Sequence, residues 1–178
     1  GNWRNIKPET YRKFEAFQEH EAFVGRIVFP IRDISGRIVA FNARHMTGGT
    51  PKYLISPPGA RMPLFPAKID PIQASVILVE GIYDMINLHD KGLTNAVCCF
   101  GTRNINEEKL SILRLQGIEE AIVFFDGDEA GQTAAAKVQE MCENVDLLTR
   151  NINVVDIDPG ALTENQVEKL KDKLYKGV

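Results

Sequence analysis

From Ser75 onward the chain repeats one unit: a short apolar run, a turn, then a helical stretch. The runs are Ser75–Val79, Asn95–Phe100, Ala121–Phe125 and Asn151–Val155. A run that is apolar at nearly every position, rather than at alternate ones, suits a strand buried on both faces. Helices are expected over residues 81–91, 106–116, 129–143 and about 163–175. Asn106 and Gly117 bracket the second of these as cap and stop, and Thr163 with Gln166 forms a capping box at the last. Strands that alternate with helices imply a parallel, doubly wound sheet, because parallel neighbours need a long crossover between them. The expected fold class is therefore α/β, a mostly parallel sheet flanked by helices.

The upstream part reads differently. Residues 8–22 have helical spacing of Tyr11, Phe14 and Phe17 behind Pro8. Residues 25–33 and 36–44 alternate apolar and polar, as two strands joined by a hairpin turn at Asp33–Gly36. Pro30 inside the first strand implies an edge position or a bulge. Residues 45–75 are rich in Gly and Pro and are expected to be irregular and surface-lying, the seam between two subdomains. The division expected is a small α+β basic subdomain over residues 1–70 and the α/β domain over 71–178.

Charge follows that division. Residues 1–75 carry 11 Lys and Arg against 6 Asp and Glu; residues 76–178 carry 10 against 18. A basic part beside an acidic part suggests one surface for a polyanion and one pocket for cations, although a solvated surface also fluctuates in charge. No apolar run approaches the roughly 18 residues of a membrane span, and residues 1–21 lack a signal-peptide core. Cys98, Cys99 and Cys142 form no C-x₂-C pair, which argues against a disulfide framework and against zinc. The cytoplasm is the expected compartment. A chain opening on Gly1 rather than Met reads as a piece of something longer.

Acids stand at the carboxyl end of three of the four apolar runs. Glu80 follows the first, Asp126 and Asp128 the third, Asp156 and Asp158 the fourth. Ligands of open α/β sheets bind at that rim, near the point where strand order reverses. Two acids separated by Gly127 in a tight turn can face one site, where a hard cation with oxygen ligands relieves their repulsion. Any one of these acids also suits a helix N-terminus, and Glu129 is read that way; Asp84, one helical turn after Glu80, fits either role. Gly101-Thr102 closes the second run and offers backbone N–H groups and a hydroxyl to phosphate. In residues 23–52, Arg26, Arg32, Arg37, Arg44 and Lys52 face a single acid, Asp33, so a groove tracking a nucleic-acid backbone is expected. Arg37 at the hairpin reads as ordinary strand surface. Tyr53 beside Lys52 is placed to stack on a base.

Together these residues resemble a known family. The runs Val79-Glu80-Gly81-Ile82-Tyr83-Asp84, Phe100-Gly101-Thr102 and Phe125-Asp126-Gly127-Asp128-Glu129-Ala130-Gly131 resemble the Toprim core of bacterial DnaG-type primases. Residues 25–33, 36–44 and 51–57 resemble the basic subdomain that precedes Toprim there, and the match covers about residues 23–160. The resemblance implies a Toprim-type sheet and a primase-like nucleotidyltransferase, a DNA primase that makes RNA primers on single-stranded DNA. It implies Mg²⁺, with Mn²⁺ able to substitute, held by Glu80, Asp126, Asp128 and Asp158, the first three being catalytic. Arg26, Arg44, Lys52, Tyr53, Gly101 and Thr102 are expected to meet template or nucleoside triphosphate, and a replicative helicase is a possible partner. Gly160 departs from the family, which often has a second acid there, so the number of bound metals stays open. No zinc module precedes the match, and the expected downstream helical region is reduced to residues 163–178. Two other readings compete: a Toprim nuclease using the same metal cluster, and a non-catalytic nucleic-acid-binding module of a larger replication protein.

Overall fold

The computed structural model describes residues 3–152 and 157–176. It contains two compact units, one running to Lys68 and the other beginning at Ile69.

In the first unit, strands β1 (Arg26–Arg32), β2 (Ile38–His45) and β3 (Tyr53–Ser56) form an antiparallel sheet in the order β1-β2-β3. Pro30 lies on β1, an edge strand, and the register slips at Ile31/Arg32; an edge tolerates the missing N–H. The hairpin closes with the Gly36 amide donating to the Asp33 carbonyl at 2.9 Å. Gly36 sits at φ +87°, which a glycine adopts without strain. Phe23, Val28 and Ala43 are buried together, with Phe17, Phe41 and Leu54 packed against them.

Helix α1 (Pro8–Lys13) is shorter than the stretch expected over 8–22. Glu15 takes φ +55°, which ends the helix, and Phe17 instead bridges to Val28 as an added strand residue. The aromatic spacing there serves packing against the sheet, not a longer helix. Residues 45–75 are also more ordered than expected. They supply β3, paired with β2 from Arg44↔Tyr53 to Phe41↔Ser56, and bury Met62, Leu64 and Phe65.

The second unit is a four-stranded parallel sheet, β4 (Ser75–Val79), β5 (Ala96–Cys98), β6 (Glu120–Val123) and β7 (Leu148–Asn151), in the order β5-β4-β6-β7. Every residue of β4, the central strand by register, is buried. Helices α2 (Ile82–Asp90), α3 (Glu107–Leu115), α4 (Glu129–Glu143) and α5 (Glu164–Tyr175) connect and follow the strands. Asn106 caps α3 through the Lys109 amide, and Thr163 with Gln166 forms the capping box of α5. The last strand begins earlier than expected, at Leu148, and shares Asn151 with the run Asn151–Val155. As an edge strand with Leu148 and Asn151 exposed, it needs no continuous apolar run; residues 153–156, including Asp156, lie outside the described residues.

The strand order sets the location of a site. From β4 the chain crosses through α2 to β5 on one side, and from β6 it crosses through α4 to β7 on the other. The carboxyl ends of β4 and β6 therefore flank the switch point, where such sheets open a crevice. Among the described residues no helix is long and apolar enough to cross a membrane.

Candidate metal centre

The acids collect at that switch point, and local turns hold them there. Glu80 leaves β4, and its Oε1 accepts the Asp126 amide at 3.3 Å. Asp84, in the first turn of α2, accepts the Gly81 amide at 2.8 Å. Asp128 caps α4 by accepting the Gly131 amide at 2.7 Å, and Asp158 accepts the Gly160 amide at 2.7 Å. Each of these four carboxylates thus has one oxygen fixed by a backbone N–H. Asp126 has no hydrogen-bond or ion-pair partner for its carboxylate among the described residues.

The cluster is electrostatically costly. Burial raises the Glu80 pKa, and the charges of Asp126 and Asp128 raise it further. Asp84 is pushed up to about 7, chiefly by burial and then by Asp158, Asp126 and Glu80. Asp126 is raised by burial and by Asp158 and Asp128. No Lys or Arg pairs with any of the five acids among the described residues. A concentration of negative charge without a cationic side chain is relieved by a hard cation.

Among the described residues no group of three or more Asp, Glu, His or Cys side chains is arranged to hold a metal ion by itself. A hard cation such as Mg²⁺ does not require one, since it keeps several waters and takes one or two carboxylates together with substrate phosphates. The donor type available here is the one such an ion takes: the carboxylate of Asp126, with no side-chain partner among the described residues, and the remaining carboxylate oxygens of Glu80, Asp128 and Asp158.

Two glycines make this packing possible. A Cβ on Gly131 would stand 2.0 Å from the Asp126 carbonyl oxygen, so α4 can approach the Asp126–Asp128 turn only without a side chain there. A Cβ on Gly160 would stand 2.7 Å from Asp84 Oδ1 and 3.1 Å from Asp158 Oδ1. In this chain the carboxylate of Asp84 occupies the space beside Gly160 that a side chain at 160 would need. Neither contact is visible in a linear pattern, since each joins residues whose proximity depends on the turns.

The other expected site residues divide. Gly101 sits at φ +92° and its amide donates to the Glu80 carbonyl at 3.0 Å, so it ties the end of β5's loop to the Glu80 turn rather than presenting a free N–H. Thr102 lies on an open cleft of about 810 Å³ that Asp128, Arg103 and Lys137 also line. In the first unit, Arg44 donates to the Tyr53 hydroxyl, with its guanidinium 4.9 Å from the Tyr53 ring centre. The Lys52 ammonium lies 5.8 Å from the same ring, so Arg44, Lys52 and Tyr53 form one cationic-aromatic patch. Arg26 is elsewhere. It is buried and donates to the Pro51 carbonyl at 2.7 Å and the Lys52 carbonyl at 3.4 Å, holding the approach to β3.

A parallel sheet with acids at its switch-point rim defines the second unit as a Toprim domain, and residues 74–155 match the Toprim domain family. Residues 4–65 match the family described as the DNA primase catalytic core, N-terminal domain. The chain belongs to the bacterial DnaG-type primase family. It is 35% identical over 137 residues to a DNA primase of Pseudomonas putida, covering 71% of this chain and 20% of that protein. With a DNA primase of Staphylococcus aureus the identity is 32% over 154 residues, 80% of this chain and 24% of the relative. The chain thus spans about a fifth to a quarter of the length of these relatives.

Solved structures share the fold. The zinc-binding and RNA polymerase domains of the Aquifex aeolicus primase superpose with a TM-score of 0.79 at 22% identity, over 94% of this chain and 52% of that one. The E. coli primase catalytic core gives 0.78 at 22%, over 97% and 70%. A DnaG primase catalytic domain bound to single-stranded DNA gives 0.78 at 23%, over 96% and 68%. Toprim primases are metal-dependent, in keeping with the carboxylate rim.

Proposed function

We propose that this chain is the catalytic core of a primase, which joins ribonucleotides into an RNA primer on a single-stranded DNA template. The observation that carries the reading is the carboxylate cluster at the Toprim switch point, which has no cationic partner of its own among the described residues. The two family matches, in primase order along the chain, support it.

Glu80, Asp126, Asp128 and Asp158 would hold Mg²⁺, with Mn²⁺ able to substitute. The ion, when bound, supplies neutralisation of triphosphate charge and a lowered pKa for the attacking 3′-hydroxyl. The protein's part is positioning. Because the Gly131, Gly160 and Asp126 amides already fix one oxygen of Asp128, Asp158 and Glu80, these carboxylates need little rearrangement as charge develops. Glu80, whose proton affinity is raised by burial, is suited to general acid–base work at the same rim. Arg44, Lys52 and Tyr53 would meet nucleic acid through phosphate charge and base stacking. Thr102 would face nucleotide phosphate from the cleft it shares with Asp128. The DNA-bound DnaG relative supports a single-stranded template as partner. Nucleoside triphosphates, a replicative helicase and a cytoplasmic site of action follow from the same family reading.

The test is incubation of the chain and its Asp126→Ala variant with single-stranded DNA, labelled ribonucleotides and Mg²⁺ or Mn²⁺. Short RNA made by the parent alone supports a primase core. Shortened DNA without RNA synthesis would replace this reading with a nuclease. Metal and DNA binding without either product would replace it with a non-catalytic module.

A further inference from the structure

Asn87 is buried on α2, and both hydrogens of its side-chain amide are committed to one short segment of distant sequence. Nδ2 donates to the Pro159 carbonyl at 2.8 Å and to the Leu162 carbonyl at 3.0 Å. The remaining atom, Oδ1, accepts from the Lys91 ammonium one helical turn on. That contact fixes the orientation of the amide, since the reversed orientation would set Oδ1 against two carbonyl oxygens and Nδ2 against an ammonium. The side chain of Lys91 is itself only 10% exposed and stands 3.7 Å from Asp90.

The segment so held is the one that carries Asp158. Pro159–Ala161 forms a single 3₁₀ turn with Pro159 buried, closed by the Ala161 amide on the Asp158 carbonyl at 3.0 Å. A turn this short has few hydrogen bonds of its own. Its placement therefore depends on what anchors it, and α2 supplies both anchors. Asn87 holds its carbonyls, while Asp84, three residues earlier on the helix, packs against Gly160. Residues so spaced share a helix face.

We propose that Asn87, oriented by Lys91, is a positioning residue for the cation site: it clamps the Pro159–Leu162 segment to α2 and thereby holds Asp158 in the carboxylate set. This inference rests on the cation-site reading above. Asn87 touches neither the cation nor substrate. Its effect is transmitted through Asp158.

The experiment is titration of the full chain with Mn²⁺, read by the loss of the free-ion paramagnetic resonance signal, at a temperature where circular dichroism shows each variant folded. The variants are Asn87→Leu, which removes both donors at similar volume, Lys91→Met, Asp158→Asn and the double variant Asn87→Leu/Asp158→Asn. Loss of an outer partner of a metal-site group weakens affinity by about 10- to 100-fold. Asn87→Leu is expected to weaken Mn²⁺ binding about tenfold, and Lys91→Met by less. In the Asp158→Asn background, Asn87→Leu is expected to cost nothing further, because the two act through one carboxylate. A purely structural role for Asn87 would lower the melting temperature and leave Mn²⁺ affinity of the folded chain unchanged; that result overturns the proposal. Full additivity of Asn87→Leu and Asp158→Asn also overturns it. Should Asn87→Leu not fold, Lys91→Met, alone and combined with Asp158→Asn, decides by the same two criteria. Absence of Mn²⁺ binding by the parent chain would instead refute the cation site, and this inference with it.

Discussion

Replacing Gly131 with Ala tests whether the Asp126–Asp128 turn is held as described. In an ordinary helix interior the change stabilises by up to about 1 kcal/mol, because Ala is the better helix former. Here the new Cβ would lie 2.0 Å from the Asp126 carbonyl oxygen. That oxygen belongs to the backbone, so no rotamer change relieves the contact, and α4 and the turn must separate by more than about 1 Å. Overpacking of this kind costs about 1–3 kcal/mol. The separation also lengthens the 2.7 Å bond from the Gly131 amide to Asp128, a helix cap whose loss costs about 1 kcal/mol. Setting these against the propensity gain leaves a net loss of about 1–3 kcal/mol, or roughly 2–12 °C in melting temperature at 2–4 °C per kcal/mol for a chain of this size. Thermal melts followed by circular dichroism read the sign directly. An unchanged or raised melting temperature for Gly131→Ala would refute the close approach of α4 to Asp126.

Other outcomes follow from the charges. Asp84 has a folded pKa of about 7 against an ordinary 3.8, so between those values the folded chain holds a proton that the unfolded chain has released. Its contribution to stability is then full below about pH 4 and lost as pH rises towards 7. Metal-free melts from pH 4.5 to 8 should show that decline, and Asp84→Asn should flatten it; an unaltered profile would contradict the buried placement. Mg²⁺ should raise the melting temperature of the parent, by native-state binding, and not that of Asp126→Ala. Arg44→Ala and Lys52→Ala should each weaken single-stranded DNA binding across sequences and reduce the salt slope by about 0.7. Arg26→Ala, which removes a donor from the buried Ala43 carbonyl and two from the part-buried Pro51 and Lys52 carbonyls, should instead cost about 1–3 kcal/mol of stability with the salt slope unchanged.

The sheet was legible because three of its strands are buried on both faces, so their apolar runs stand out from helical periodicity. The start of β7 at Leu148 was missed for the converse reason: an edge strand with exposed ends carries no such run there. Pairing also decided what local spacing could not. Phe17 has helical spacing from Phe14 yet bridges to Val28, and Tyr53–Ser56 form a strand inside a Gly- and Pro-rich stretch because β2 offers them a partner. At the site, the acids were visible as residues that follow apolar runs. Their supports were not. Asn87 is 72 residues from Pro159 along the chain, and Gly131 matters through one carbonyl, so only the folded chain reveals either. Arg26 shows the opposite error of a linear reading. Charge alone counted it with Arg44 and Lys52, whereas its guanidinium is turned inward to the chain's own backbone.

Where a divalent cation binds decides what this rim does. Crystals of this chain soaked in Mn²⁺ and measured at the manganese edge should give an anomalous peak among the carboxylates of Glu80, Asp126, Asp128 and Asp158, and Asp126→Ala crystals should lose it. Ordered density for these side chains with no peak between them, or a peak only elsewhere on the molecule, would contradict the reading of this rim as the metal centre of a primase core.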